Sequence, residues 1–233
     1  GEPVATGRWS SEKKRRIRDS RVVGTRNLVQ GIAACDKPPK LLVAASAIGF
    51  YGDRGDEILD ENSKPGAGFL PEVCSDWERE VMAAEELGVR VVCLRIGIVL
   101  AKDGGALKQM IPIFRMGVGG KLGDGKQWMS WIHVDDVVGL LLWAGTHGDL
   151  SGPVNAVSPE PVTNAVFTDL LGKALGRPTF FPVPRFGLNV LFGEKSSIIL
   201  GSQRVLPKVA QAGNYKFAYS DLDLALRDVV LAP

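Results

Sequence analysis

Cys74 and Glu78 stand four residues apart in a stretch, Pro71 to Leu87, whose periodicity predicts a helix. Residues at i and i+4 share a helix face, so a thiol and a carboxylate there can act as an acid/base pair. The same spacing suits a plainer arrangement, a small packing residue beside a surface or capping carboxylate, since a free cysteine behaves largely as a small hydrophobe. A second pairing, His133 with Asp135, sits where a short apolar segment meets a helix start. An aspartate there caps exposed N–H groups and the histidine bonds within the turn, so structural roles suffice. A third concentration is Lys13-Lys14-Arg15-Arg16-Ile17-Arg18. It reads either as a solvated basic helix face or as an anion site for a cofactor or substrate phosphate. No aromatic platform or second basic cluster accompanies it, so nucleic acid is not an expected partner.

Metal chemistry is not expected. Cys35, Cys74 and Cys93 are odd in number and widely spaced, and the two histidines, His133 and His147, build no ligand cluster. The same cysteine usage argues against a disulfide framework and for a reducing, cytoplasmic setting. The chain has 233 residues, 45% of them hydrophobic and 23% charged. That length allows one large domain, or a core with a small appendage. The net charge of +2 gives no global pull towards nucleic acid or an anionic membrane. No segment is apolar for long enough to span a bilayer, and no leader-like start is visible, so no membrane partner is expected.

These residues need a scaffold. Ser10 to Ala34 reads as a helix that Ser10 or Ser11 can cap. Lys40 to Ser46 and Arg90 to Leu100 are apolar runs without polar alternation, as in strands buried on both faces of a parallel sheet. Gly52 to Phe69 is a polar loop, and Gly88 a helix C-cap. A short helix is expected over Leu107 to Met116, a small hairpin around Asp124-Gly125, and an apolar helix over Val137 to Ala144 capped by Asp135 or Asp136. Pro153 to Val157 reads as a strand and Thr163-Asn164 to Leu175 as a helix. Beyond Pro178 come helical turns, a strand at Tyr215 to Tyr219, and a closing helix, Leu222 to Val230, capped by Ser220-Asp221. Strands alternating with helices at this spacing predict an α/β fold built on a doubly wound parallel sheet.

Several motifs in order resemble one family. Arg21-Val22-Val23-Gly24-Thr25-Arg26-Asn27-Leu28, Ser46-Ala47-Ile48-Gly49-Phe50-Tyr51-Gly52, Leu94 to Leu100 and Trp131 to Val137 are similar to the successive signatures of the extended short-chain dehydrogenase/reductase, or NAD-dependent epimerase/dehydratase, family. Gly1-Glu2-Pro3, Trp77-Glu78, Ser130-Trp131-Ile132-His133, Pro153-Val154-Asn155 and a tail with Gly201-Ser202-Gln203-Arg204 resemble its subgroup of nucleoside-diphosphate-sugar epimerases with a C-terminal domain of unknown function. The resemblance implies a partial Rossmann-like sheet, with the family's first βαβ units missing from this sequence. It implies residues 1–157 as the C-terminal part of an NAD(P)-binding domain with substrate-lid insertions. Residues 158–233 would then be a helical linker and a small C-terminal α+β domain.

The resemblance also implies a cofactor, NADP in preference to NAD, and a small-molecule substrate such as a sugar nucleotide; a homodimer is the oligomer to test for. Its implied cofactor contacts are Gly1, Glu2, Arg16, Arg21, Ser46 and Val99. Arg21 replaces an asparagine of the family pattern, where a guanidinium can grip a phosphate bidentately or form a surface salt bridge. The implied catalytic positions are Ser46, Cys74, Glu78 and Tyr51, with Tyr51 either lining the pocket or filling the core. Two departures stand out. No Gly-x-Gly-x-x-Gly-like turn follows a strand, and the family's Tyr-x-x-x-Lys pair is absent. In its place are Leu70/Cys74 or Cys74/Glu78. The chain is therefore expected either to be an epimerase or reductase, or to bind the dinucleotide as a sensor or scaffold without turnover.

Overall fold

The computed structural model describes residues 1–102 and 104–231. In chain order the elements are α1 (Ser11–Ala33), β1 (Leu41–Ala47), β2 (Ile58–Leu59), α2 (Phe69–Met82), β3 (Arg90–Ile96), β4 (Ile98–Leu100), α3 (Gly105–Arg115), β5 (Trp128–Met129), β6 (Trp131–His133) and α4 (Val134–Thr146). There follow β7 (Gly152–Ala156), β8 (Val162–Thr163), α5 (Asn164–Leu175), α6 (Arg185–Phe192), α7 (Ser196–Leu200), β9 (Arg204–Val205), α8 (Lys208–Ala212) and α9 (Leu222–Leu231).

The expected parallel sheet is present. β3 lies between β1 and β7, parallel to both, with Ser46 level with Arg95 and Arg95 level with Asn155. Among the described residues β1 pairs with no second strand. Side chains alternate across the sheet. Leu42, Ala44 and Val91 pack under α1 and α2 with Ile32, Val81 and Ala84. Val92, Leu94, Val154 and Ala156 pack on the other face against Leu140 and Ala144 of α4. Helices on both faces make the sheet doubly wound, and explain why its strands read as unbroken apolar runs. Each such Val or Leu stabilises the fold by about 1.5–3 kcal/mol relative to exposure.

Gly97 splits the long strand expected over Arg90 to Leu100. A Cβ there would lie 2.6 Å from the Ser130 carbonyl oxygen and 2.8 Å from a Val157 methyl. The chain therefore changes partners at this residue: β3 stays with β1 and β7, and β4 pairs in parallel with β6.

Three expectations are corrected. The turn around Asp124-Gly125 forms, but its arms do not pair with each other. β5 pairs with β8 instead, and Leu122 bridges to Val183. The cap of α4 is His133, whose Nδ1 accepts from the Asp135 N–H at 3.2 Å; neither Asp135 nor Asp136 is the cap. Tyr215–Tyr219 is not a strand. Asp136 holds it instead, accepting from the N–H groups of Ala218 and Tyr219 at 2.8 and 2.9 Å. The termini of α1 and α5 fall where read, with Ser10 capping one and left-handed Gly176 ending the other. Asp221 receives the Leu224 N–H at the start of α9.

Candidate functional site

The sheet's C-terminal edge carries a buried polar network that starts with one charge. Arg95, in a strand whose neighbours Leu94 and Ile96 are apolar, is only 4% exposed. A guanidinium so placed must be paired. α2 supplies the partner: Glu78 binds Arg95 bidentately, at 2.9 Å to Nε and 2.8 Å to Nη2. Ser46, level with Arg95 on β1, donates its hydroxyl to Glu78 at 2.6 Å. Phe50 lies under the guanidinium, 3.6 Å from ring centre to Cζ. Arg95 also donates to the Tyr51 hydroxyl at 3.0 Å, and Tyr51 donates onward to Asn155 Oδ1 at 2.7 Å. Asn155 completes the chain through Nδ2 to the Leu206 carbonyl at 3.0 Å, reaching the tail.

Burial works against the Arg95 charge, but the bonds from Glu78 and the proximity of Tyr51 override it, so the guanidinium holds its proton more tightly than usual. Burial raises the Tyr51 hydroxyl, against the opposing pull of Arg95. Glu61 stands beside this network. Its Oε1 accepts from the N–H groups of Asn155 and Val209, its Oε2 is buried with no partner, and burial pushes its carboxyl up from 4.5.

Cys74 sits next to this network, one turn before Glu78. Its sulfur faces Gly49. Burial first, then the Glu78 charge, pushes the thiol up to about 12 despite the nearness of Arg21. Cys93 is raised to about 12 for the same leading reason, and Cys35 alone of the three is exposed. A thiolate is the reactive form, so a thiol reagent at neutral pH should modify Cys35 rapidly and Cys74 and Cys93 only on unfolding. Mass spectrometry of briefly alkylated native protein tests this; early labelling of Cys74 would mean that it is exposed or activated.

On the outer side of Cys74, α1 and α2 enclose a groove of about 310 Å³ lined by Gly1, Ser20, Arg21, Gly24, Leu28 and Trp77. Arg21 is half-buried here. Nη1 donates to the carbonyls of Ile17 at 3.0 Å and Glu2 at 3.1 Å, and Cζ lies 5.5 Å from the Trp77 ring centre. Its Nε and Nη2 have no hydrogen-bond partner among the described residues. Burial lowers the Arg21 pKa. Gly1 approaches closely: a Cβ there would lie 3.3 Å from the guanidinium. Glu2 is held low chiefly by its hydrogen bond to Lys13, at 2.5 Å.

The structure thus gathers Ser46, Tyr51 and Glu78 into one network, with Cys74 beside it, and Gly1, Glu2 and Arg21 around the groove. Arg16 is more peripheral, 3.9 Å from Glu2 and 3.8 Å from Glu12. Val99 lies outside the polar network, on β4 opposite Ile132. The basic run of α1 is mostly engaged. Lys14 pairs with Glu194 of the tail, and Arg18 with Asp76 of α2 at 2.7 Å. His133 stacks on Tyr219, with ring centres 3.8 Å apart, and its Nε2 lies 3.3 Å from Asp228. His147 accepts from the Trp143 indole at 2.9 Å. Both histidines therefore serve structure. No group of three or more metal-binding side chains occurs among the described residues. Arg95, Glu61 and Asn155 had no role in the sequence reading; the available signal was a lone charge or amide inside an apolar strand.

The sequence profile of the NAD-dependent epimerase/dehydratase family matches residues 1–157. The chain belongs to that family. A second profile, a domain of unknown function (DUF1731), matches residues 183–229. Among the relatives, the chloroplastic SDR39U1 homolog of Arabidopsis thaliana, an epimerase family protein, is 43% identical over 99% of this chain and 66% of its own length. The epimerase family protein YfhF of Bacillus subtilis is 37% identical over 96% of the chain and 74% of its own length. The chain thus spans about two thirds to three quarters of these relatives. Human epimerase family protein SDR39U1 (isoform 2), solved with NADPH, superposes with a TM-score of 0.93 at 32% identity, covering all of this chain and 80% of that one. The nucleoside-diphosphate sugar epimerase of Corynebacterium glutamicum gives 0.79 at 36% identity, covering 97% of this chain and 44% of that one. No helix among the described residues is long and apolar enough to cross a membrane.

Proposed function

We propose that this chain binds NADP(H) along the groove beside Arg21 and does so without the proton relay that its family's tyrosine and lysine provide. The observation that carries this reading is the Glu78 carboxylate, locked between Arg95 and Ser46 in a buried setting. A general acid or base must be free to exchange a proton near the ambient pH. Glu78 is held as the counter-ion of Arg95, the Cys74 thiol is pushed up to about 12, and the Tyr51 hydroxyl is buried between Arg95 and Asn155. Ser46, Cys74, Glu78 and Tyr51, the four residues in the catalytic positions, therefore organise the sheet edge rather than move protons.

The residues around the groove fit a dinucleotide phosphate. Arg21 keeps two donor nitrogens unpartnered, and Gly1 leaves room at the guanidinium that a side chain would take. Arg16, five residues earlier on α1 and beside Glu2, adds positive charge, and Ser46 and Val99 mark where the strands end towards the reactive part of such a cofactor. Bound NADPH would bring a hydride donor to this edge, and in this reading it is held without being turned over. The groove residues grip and orient, and the network behind Cys74 keeps that wall of the site rigid. The resulting activity is dinucleotide sensing or scaffolding, with residues 158–233 as the responding appendage. The NADPH in the human neighbour's structure supports NADP over NAD.

Calorimetry on the full-length protein tests the reading. NADPH should bind, and Arg21→Ala should weaken it about tenfold or more, as expected for losing a charge-assisted bond worth roughly 1.5–3 kcal/mol. Absence of binding would remove the proposal. Epimerisation or NADPH oxidation over a panel of sugar nucleotides would restore the enzymatic alternative.

A further inference from the structure

Two surface segments are tied side by side away from the groove. Gly120 bridges to Phe180 and Leu122 to Val183. The Val183 N–H donates to the Lys121 carbonyl at 2.8 Å, and Arg177 Nε to the Arg115 carbonyl at 3.0 Å. The backbones approach so closely that a Cβ on Gly120 would lie 1.7 Å from the Phe181 carbonyl oxygen. From this double segment apolar side chains project into solvent. Phe180 is 82% exposed, Phe186 79% and Met116 69%, with Phe181, Val118 and Val190 beside them in sequence and also exposed. Solvent-facing aromatics grouped in this way mark an interaction surface.

The two segments themselves carry charge of one sign, while Asp53, Asp56 and Asp124 line a cleft beside Arg185 at their border. No acidic residue occurs between positions 104 and 123 or between 170 and 193, and those stretches hold six basic residues in a chain of net charge +2. Arg115, Lys121, Arg177 and Arg185 have no ion-pair partner within 4 Å among the described residues. We propose that this face docks on the surface of an anionic lipid bilayer, with the phenylalanines entering the headgroup boundary and the cations facing lipid phosphates. Exposed apolar side chains carried by segments that also hold unpaired basic residues are the composition of interfacial anchors. Pro178, Pro182 and Pro184 stiffen the segment that carries the tips, so ordering it costs little entropy on docking. A second copy of this chain is disfavoured, because a two-fold interface would set two positive patches against each other. The modest net charge does not oppose the inference: electrostatic attraction to a surface falls off within a Debye length, so the local patch decides.

Flotation of the full-length protein with extruded vesicles tests this. Binding is expected to mixed phosphatidylglycerol–phosphatidylcholine vesicles, with about tenfold less to phosphatidylcholine alone and marked weakening by salt. The Phe180→Ser/Phe181→Ser/Phe186→Ser variant should lose binding while keeping its circular dichroism spectrum. Arg115→Glu/Lys121→Glu, which touches no aromatic, should lose it too. Equal binding to both lipid mixtures, no binding to either, or full binding by the variants would overturn the proposal. So would self-association that the serine variant abolishes, which would make a second copy the occupant. Tight binding of an acidic protein with no vesicle binding would overturn it as well.

Discussion

Arg95→Ala should destabilise the fold by about 3–5 kcal/mol, because it strands the Glu78 carboxylate in a site that water does not reach. Both partners are buried, at 4% and 8% exposure, and both bonds of the pair are near ideal length. The loss also leaves Tyr51 and the Glu61 carbonyl without their donor. Against a total stability of roughly 5–15 kcal/mol, the variant would be near the limit of folding. The double change Glu78→Leu/Arg95→Met should recover most of the loss, since no unpaired charge remains. Urea denaturation of the three proteins distinguishes the cases. A cost below about 1 kcal/mol for Arg95→Ala would show that the pair is solvated and the network weak.

Asp136→Ala should cost roughly 2–3 kcal/mol and release the segment from Tyr215 to Tyr219. Asp136 is 1% exposed, and its carboxylate is the acceptor for two backbone N–H groups of that segment, with the Tyr215 hydroxyl 3.3 Å from its backbone carbonyl. It also lies in the first turn of α4, where a negative charge is favourable. Limited proteolysis is the direct readout: cleavage within 215–219 should appear in the variant long before the core is cut. If the variant resists protease as well as the parent, the tail is held by its packing and not by this carboxylate.

The sheet and its flanking helices were legible because their signals are local. Apolar runs at Leu41 and Arg90, the Ser10 cap and the glycine at 88 act within a few residues. Gly97 and the turn at 123–126 were misread for a different reason. Gly97 breaks its strand because of Ser130 and Val157, which come from other elements, and β5 finds its partner beyond residue 160. No window along the chain carries that information. The Tyr215 to Tyr219 stretch has the composition of a strand, yet it pairs with none of the described strands; the Asp136 carboxylate takes two of its N–H groups in place of a ladder. The site divides in the same way. Cys74 and Glu78 were visible as an i, i+4 pair, but their chemistry depends on Arg95, and on burial that only the packed sheet creates. Arg95 was legible as an anomaly, a charge inside an apolar strand, although its partner was not.

The pairing of β2 with β9 has a consequence for how the molecule is made. Ile58 and Leu59 find their partners at Arg204 and Val205, and the buried chain from Arg95 ends on Leu206. Contacts of such long sequence separation form late and fold slowly. On the ribosome, the edge of the site cannot close until residues 204–206 have emerged. Until then the half-made sheet leaves Leu59 and the Asn155 amide without their tail partners, and premature termination in the tail would release a sticky intermediate rather than a shortened working domain.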